Sequence, residues 1–258
     1  MFRETIETVI ETGVKKINNM KQNKVGYLIA TLLAGVYVGF GIILIFTLGA
    51  PLAKAGSPFQ PLVMGASFGI ALTLVIMAGA ELFTGNNMVL TVSTLARRTT
   101  WKQTLINWLL VFIGNLVGAL LLSYLVKFSG LFNSVASDHL LFVTAQKKMT
   151  APVSELFFRG ILCNWLVCLA VWMSMKLKSE GAKMFAIWWC LFAFIASGFE
   201  HSVANMTVLS LAMMLPQHPE IIDLAGWLHN MIPVTLGNMV GGILFVGLAY
   251  WKTSPLQK

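Results

Sequence analysis

Two long apolar stretches of the sequence are interrupted in the same way. Residues 61–80 carry no charge, then meet Glu81-Leu82-Phe83-Thr84-Gly85-Asn86-Asn87, and turn apolar again from Met88 to Leu95. Residues 184–199 likewise meet Glu200-His201-Ser202-Val203-Ala204-Asn205 and continue apolar to Leu215. Both interruptions read Gly-x-Glu-x4-Asn, as Gly79, Glu81, Asn86 and as Gly198, Glu200, Asn205. A carboxylate at that depth in hydrocarbon is expensive unless it is paired or faces a cavity. A helix broken there also frees backbone groups that lipid cannot solvate. Such a chain has few choices of fold: both breaks must be packed in protein or line a polar space.

Composition supports a membrane setting. The 258 residues are 57% hydrophobic and only 11% charged, against about a quarter charged in soluble domains. Six spans are predicted, at about 25–48, 61–95, 105–126, 153–175, 184–215 and 224–251. Each is long enough to cross a ~30 Å hydrocarbon layer. Gly49-Ala50-Pro51 marks the end of the first, and Pro216 and Pro219 the end of the fifth. Trp101, Trp227 and Trp251 stand near span ends, as interfacial anchors do. Of the 18 Lys and Arg, thirteen fall on one side of this threading and five (Lys54, Lys127, Lys147, Lys148, Arg159) on the other. The richer side is the cytoplasmic one, so both termini are expected in the cytoplasm.

Residues 1–24 read as an amphipathic segment, not a signal peptide, with Ile6, Val9, Ile10, Val14 and Ile17 at helical spacing. It is expected to lie on the membrane surface or against a neighbouring helix. Residues 25–252 form the channel-like domain, and 253–258 a cytoplasmic tail. The net charge of +8 comes from basic residues that punctuate apolar segments, which does not make a nucleic-acid surface. Cys163, Cys168 and Cys190 all lie within spans, without the spacing of a disulfide framework or a metal site.

The match between the breaks extends to the spans after them. Phe112-Ile113-Gly114-Asn115-Leu116-Val117-Gly118 corresponds to Thr235-Leu236-Gly237-Asn238-Met239-Val240-Gly241. Repeat one is about 25–127 and repeat two about 152–252. Three spans per repeat force the two halves into opposite orientation, the arrangement in which broken helices meet at a midplane site. Each restarting half-helix turns its partly positive N-terminal end to the centre, which suits an anion. Thr84 or Asn86 is expected to cap the first half-helix, and Ser202 or Asn205 the second. Glu81 and Glu200 are read as loop supports that satisfy freed N–H groups, and Asn86 and Asn205 as their companions.

Glu81-Leu82-Phe83-Thr84 and Glu200-His201-Ser202-Val203-Ala204-Asn205-Met206 resemble the span-two and span-five loops of the formate/nitrite transporter family. Gly35–Gly49, Leu162–Ala170 and Ala186–Cys190 carry the same resemblance, which covers roughly residues 1–253 and is nearest to the nitrite-conducting bacterial members. The span-two loop continues Gly85-Asn86-Asn87-Met88, a part in which family members differ. The resemblance implies an all-α integral membrane fold of six helices as two inverted three-helix repeats, aquaporin-like, with helices two and five broken. It also implies a homopentamer in a bacterial inner membrane, with a pore in each subunit. Carried over by position, the outer constriction is Phe68 and Phe194, and the inner one Leu72, Leu82, Phe83 and Val167. The chamber between them presents His201, Thr84 and Asn164, and Lys148 stands in the outer vestibule. The expected permeant is nitrite, then formate or hydrosulfide, with protons accompanying passage.

His201 carries the chemistry in this reading. It is the one imidazole inside a break, next to Glu200, where it can donate a hydrogen bond or a proton to a passing anion. Asn164, in an apolar run, either lines the chamber or ties span four to a loop. Neither break contains proline, unlike the paired Asn-Pro-Ala motifs of neutral-solute aquaporins. No nucleophile constellation, metal-ligand set, cofactor motif or nucleotide loop accompanies Glu200-His201, so neither an enzyme nor an ATP-driven pump is expected.

Overall fold

The computed structural model describes residues 2–253; the rest of the predicted tail, 254–258, lies outside the described residues. The described residues form helices joined by turns and loops, without strands. Helix α1 (Arg3–Gln22) precedes α2 (Lys24–Lys54). The second stretch divides into α3 (Gln60–Ser67), α4 (Ile70–Thr73), a π-helical turn over Leu74–Gly79, and α5 (Phe83–Leu95). Then come α6 (Trp101–Phe128), α7 (Leu140–Thr150), α8 (Val153–Lys176), α9 (Glu180–Ala196) and α10 (Ser202–Met214). Helix α11 (Leu224–Val240) passes through a π-helical segment, Gly241–Leu248, into α12 (Ala249–Lys252).

By length and hydropathy, five helical segments can cross a membrane: Lys24–Lys54, Gln60–Gly79, Trp101–Phe128, Val153–Lys176 and Leu224–Lys252. The predicted fifth span is two helices, of 17 and 13 residues, parted at the expected Glu200 break, so neither is long enough to count by itself. The first span does not stop at Pro51. Proline removes a single N–H, and α2 continues past it to Lys54, with Ala55 N donating to Pro51 O (3.1 Å).

Helices α2 and α6 pack closely, and α8 and α11 do the same. Small residues make this approach possible. A Cβ on Gly118 would collide with the Leu32 carbonyl, and one on Gly237 with the Phe157 carbonyl. Of the two settings expected for the N-terminal segment, the structure adopts the second. Ile6, Val9 and Ile10 are buried against Val89 and Val92 of α5 and Cys168 and Trp172 of α8. The capping box of Thr100 and Gln103, each bonding the other's backbone N–H, fixes where α6 starts.

Candidate functional site

Gly79 and Gly198 end the first half of each interrupted stretch at φ 87° and 71°. A side chain is strained in this left-handed region, which is why the same residue recurs at both turns. One asparagine from a neighbouring helix then gathers the peptide groups freed by each break. Asn115 Nδ2 donates to the carbonyls of Thr31 (2.7 Å) and Glu81 (2.9 Å), and its Oδ1 accepts from Phe83 N (3.0 Å). Asn238 Nδ2 donates to the carbonyls of Gly160 (2.8 Å) and Glu200 (2.9 Å), and its Oδ1 accepts from Ser202 N (2.8 Å). The glutamate N–H groups point to the preceding neighbour, Glu81 N to Ala30 O (3.0 Å) and Glu200 N to Arg159 O (3.3 Å).

The carboxylates form a second matched network. Glu81 accepts from Lys16 Nζ (2.6 Å), Tyr27 OH (3.1 Å) and Asn86 Nδ2 (3.0 Å), and Asn86 also donates to Asn107 Oδ1 (3.1 Å). Glu200 accepts from Lys148 Nζ at both oxygens (2.8 and 2.9 Å) and from Asn205 Nδ2 (2.6 Å), which also donates to Asn230 Oδ1 (2.8 Å). Each carboxylate, buried at Glu200 and part-buried at Glu81, is therefore paired and hydrogen-bonded, as a low-dielectric site requires. This corrects two expectations. The glutamates bond a lysine and amides, while Asn115 and Asn238 serve the freed backbone. Asn86 and Asn205 sit inside the first turn of their helices with their amides turned back to the carboxylates, so neither caps. Leu82 holds the cap position of α5 without a side-chain bond, and Thr84 does not replace it. The cap of α10 is His201, not Ser202: its Nδ1 accepts from Ala204 N (3.1 Å).

That bond fixes the tautomer of the neutral ring. With Nδ1 accepting, the proton lies on Nε2, which is 3.0 Å from Thr84 Oγ1 and donates to it. The two broken stretches thus meet at this side-chain hydrogen bond, and both residues are buried. The Phe194 ring lies over the imidazole (centroids 5.9 Å apart, planes at 20°), and Phe68 meets Phe194 edge-on (5.6 Å, 78°). A cavity of about 10 Å³ lies here, lined by Phe68, Leu72, Leu82, Val167, Phe194 and His201 with Val38, Ala71 and Leu191. That is no more space than about one water needs. A cavity of about 340 Å³ opens on one side, with Lys147, Lys148, Arg159, Glu200 and His201 in its wall. One of about 530 Å³ opens on the other, with Lys16, Glu81, Leu72, Leu82, Glu180 and Lys183.

The family model for formate/nitrite transporters matches residues 3–252. The chain belongs to the formate/nitrite transporter family. It is 46% identical to the nitrite transporter NirC of Salmonella typhimurium over 260 residues, covering 99% of this chain and 93% of that one. To the formate channel FocA of Escherichia coli it is 38% identical over 261 residues, covering 93% and 90%. A solved FNT family ion channel superposes with a TM-score of 0.93 at 46% identity, over 97% of this chain and 99% of the other. A pentameric formate channel with formate bound gives a TM-score of 0.78 at 28% identity, covering 90% and 98%.

Within this formate/nitrite transporter chain the residues singled out from sequence do not all meet. His201, Phe68, Phe194, Leu72, Leu82 and Val167 share the small cavity. Thr84 reaches it through its bond to His201. Phe83 turns away, its ring 5.1 Å from that of Phe112 on α6. Asn164 directs its amide to Asn238 O (2.6 Å), Thr84 O (3.2 Å) and Asn87 Oδ1 (3.4 Å). It joins α8 to α5 and α11 and is absent from the cavity lining. Lys148 stands in the 340 Å³ cavity, bonded to Glu200. Sequence reading did not single out Lys16, Asn107 and Asn230, nor the bonding role of Asn115 and Asn238. A signal existed for four of these: both helices read Asn-x7-Asn, as Asn107-x7-Asn115 and Asn230-x7-Asn238.

Proposed function

We propose that this chain forms a channel for small monovalent anions, nitrite first, in the bacterial inner membrane. In this reading six spans form two inverted three-helix repeats, aquaporin-like, about 25–127 and 152–252. Both termini are cytoplasmic and five copies assemble, each with its own pore. The Lys148 cavity is the outer mouth and the Lys16 cavity the cytoplasmic one. Phe68 and Phe194 form the outer constriction, and Leu72, Leu82 and Val167 the inner.

The observation that carries the reading is the isolated polar junction, Nε2 of His201 to Oγ1 of Thr84 at 3.0 Å, between two apolar walls and two wide mouths. An anion in an apolar constriction loses its water, and the loss is prohibitive unless donors replace it or the charge is neutralised. The junction supplies donors: Nε2–H and the Thr84 hydroxyl turn to an anion that displaces their mutual bond. Space for about one water requires the phenyl and leucyl side chains to swing aside for a three-atom anion. Between the two roles open to His201, geometry favours the neutral donor. An imidazolium would carry a proton on Nδ1, where Ala204 N–H already points. Protons that accompany nitrite then come from water in the mouths.

The test is anion flux in proteoliposomes for nitrite, formate and hydrosulfide, with wild type beside His201→Phe and Thr84→Val. Loss of flux in both variants is expected. Unchanged nitrite flux in His201→Phe refutes the role of the junction.

A further inference from the structure

The two mouths are built alike but not charged alike. At the cytoplasmic mouth the lining charges balance: Lys16 bonds Glu81 (2.6 Å), and Lys183 bonds Glu180 (2.8 Å). At the outer mouth three cations, Lys147, Lys148 and Arg159, line the wall with one carboxylate, Glu200. Lys148 is committed to both oxygens of that carboxylate and has only 17% of its side chain exposed. Its charge is neutralised at close range by the loop it supports.

Arg159 stands differently. Its backbone carbonyl takes the N–H of Glu200, the part that Ala30 plays for Glu81 at the other break. The two residues are structural equivalents, each in the wall of its own mouth. One is an alanine and the other a guanidinium. The backbone bond needs no side chain, as Ala30 demonstrates. The Arg159 partner, Glu155, lies one turn earlier on α8, and both side chains are nearly half exposed (44% and 48%). Such a pair is screened by water and holds weakly. The pair records one guanidinium nitrogen in use, so most of the five N–H donors of Arg159 remain available.

We propose, on the channel reading above, that Arg159 is the anion-attracting cation of the outer mouth. It raises the local concentration of anions there and lowers the electrostatic energy of an anion entering the Phe68–Phe194 constriction. Lys148 serves the fold of the break, and Lys147 adds a lesser charge at the rim.

The experiment is low-concentration nitrite permeability in proteoliposomes, at ionic strengths of about 0.01 M and about 1 M set with an impermeant salt. The screening length falls from about 30 Å to about 3 Å between them. At low salt, Arg159→Gln is expected to lower permeability about threefold and Arg159→Glu about tenfold. Arg159→Lys stays near wild type, and Glu155→Gln raises permeability about twofold. In a passive pore each change is equal in both directions of flux. At high salt the differences vanish. A loss in Arg159→Gln that persists at high salt, or that Arg159→Lys does not restore, overturns the proposal in favour of a packing role. Low-salt permeability unaltered in Arg159→Gln overturns it outright. Wild-type protein without nitrite flux above empty liposomes overturns the channel reading itself, and this proposal with it.

Discussion

Replacing Asn238 with alanine should damage the fold more than its single amide suggests. The residue is fully buried and makes three hydrogen bonds, to Gly160 O (2.8 Å), Glu200 O (2.9 Å) and Ser202 N (2.8 Å). Interhelical hydrogen bonds in membranes average about 0.6 kcal/mol each, so simple loss of the three removes about 2 kcal/mol. The substitution also strands groups. Glu200 O and Ser202 N belong to the break, outside any helical ladder, and an unsatisfied buried group costs roughly 2 kcal/mol. Two of them set an upper figure of about 4 kcal/mol. The expected destabilisation is thus about 2–4 kcal/mol, or a thermal midpoint lowered by roughly 10 °C. Thermal unfolding of the detergent-solubilised protein, followed by tryptophan fluorescence, measures it. Asn115→Ala should match it, because Asn115 makes the same set of bonds at the other break. A midpoint within 2 °C of wild type, a shift of less than about 1 kcal/mol, refutes the view that these asparagines hold the breaks.

Three other outcomes are expected. Lys16→Met and Lys148→Met each leave a glutamate without its cation (2.6 and 2.8 Å). Breaking a fully buried pair costs about 3–5 kcal/mol; these part-buried pairs should cost less, and Lys16→Met combined with Glu81→Gln should recover much of the loss in the same melting assay. Gly118→Val drives a side chain into the Leu32 carbonyl; separated α2 and α6 should show as aggregation on size-exclusion chromatography, whereas Gly181→Val, in open surroundings, should not. His139 caps α7, its Nδ1 accepting from Leu141 N (3.2 Å), and burial lowers its pKa from 6.5. A depressed histidine is neutral in the folded state, so its stabilisation is present above about pH 6.5 and falls away as pH drops through the lower folded value. Amide exchange across α7 should therefore speed up on acidification, and His139→Asn, a cap that does not titrate, should remove that dependence.

Much of the fold was legible because hydrocarbon leaves little choice. Apolar length located the five segments long enough to cross a membrane, and an uncompensated carboxylate in each of two apolar stretches located the breaks. Periodicity gave α1 its apolar stripe, but only tertiary contacts decided that the stripe meets α5 and α8. Pro51 misled as a terminator because one missing N–H does not end a helix already 27 residues long, counted from Lys24. The caps misled for another reason. Asn86 and Asn205 have the right side chains, but their partners are carboxylates five residues earlier, an arrangement that exists only once a lysine from α1 or α7 is in place. Phe83 and Asn164 were placed in the pore by position along the chain, which does not fix the direction of a side chain on its helix.

The two breaks separate scaffold from chemistry. Glycine, glutamate, asparagine and a lysine from an outlying helix recur at both, with closely similar bonds, and they hold the chain open. What differs is the residue at the helix cap. It is Leu82 in one break and His201 in the other. Two imidazoles facing each other across so small a space would bind water or an anion from both sides and release it slowly. Two leucines would offer nothing in place of hydration. Conduction needs binding that is favourable enough for entry and weak enough for exit. One donor opposite an apolar cap meets both demands, and Thr84, one residue inside α5, gives that donor a partner while no anion is present. The scaffold repeats at both breaks, and the caps depart from that symmetry; on the channel reading proposed above, that departure is what lets an anion through.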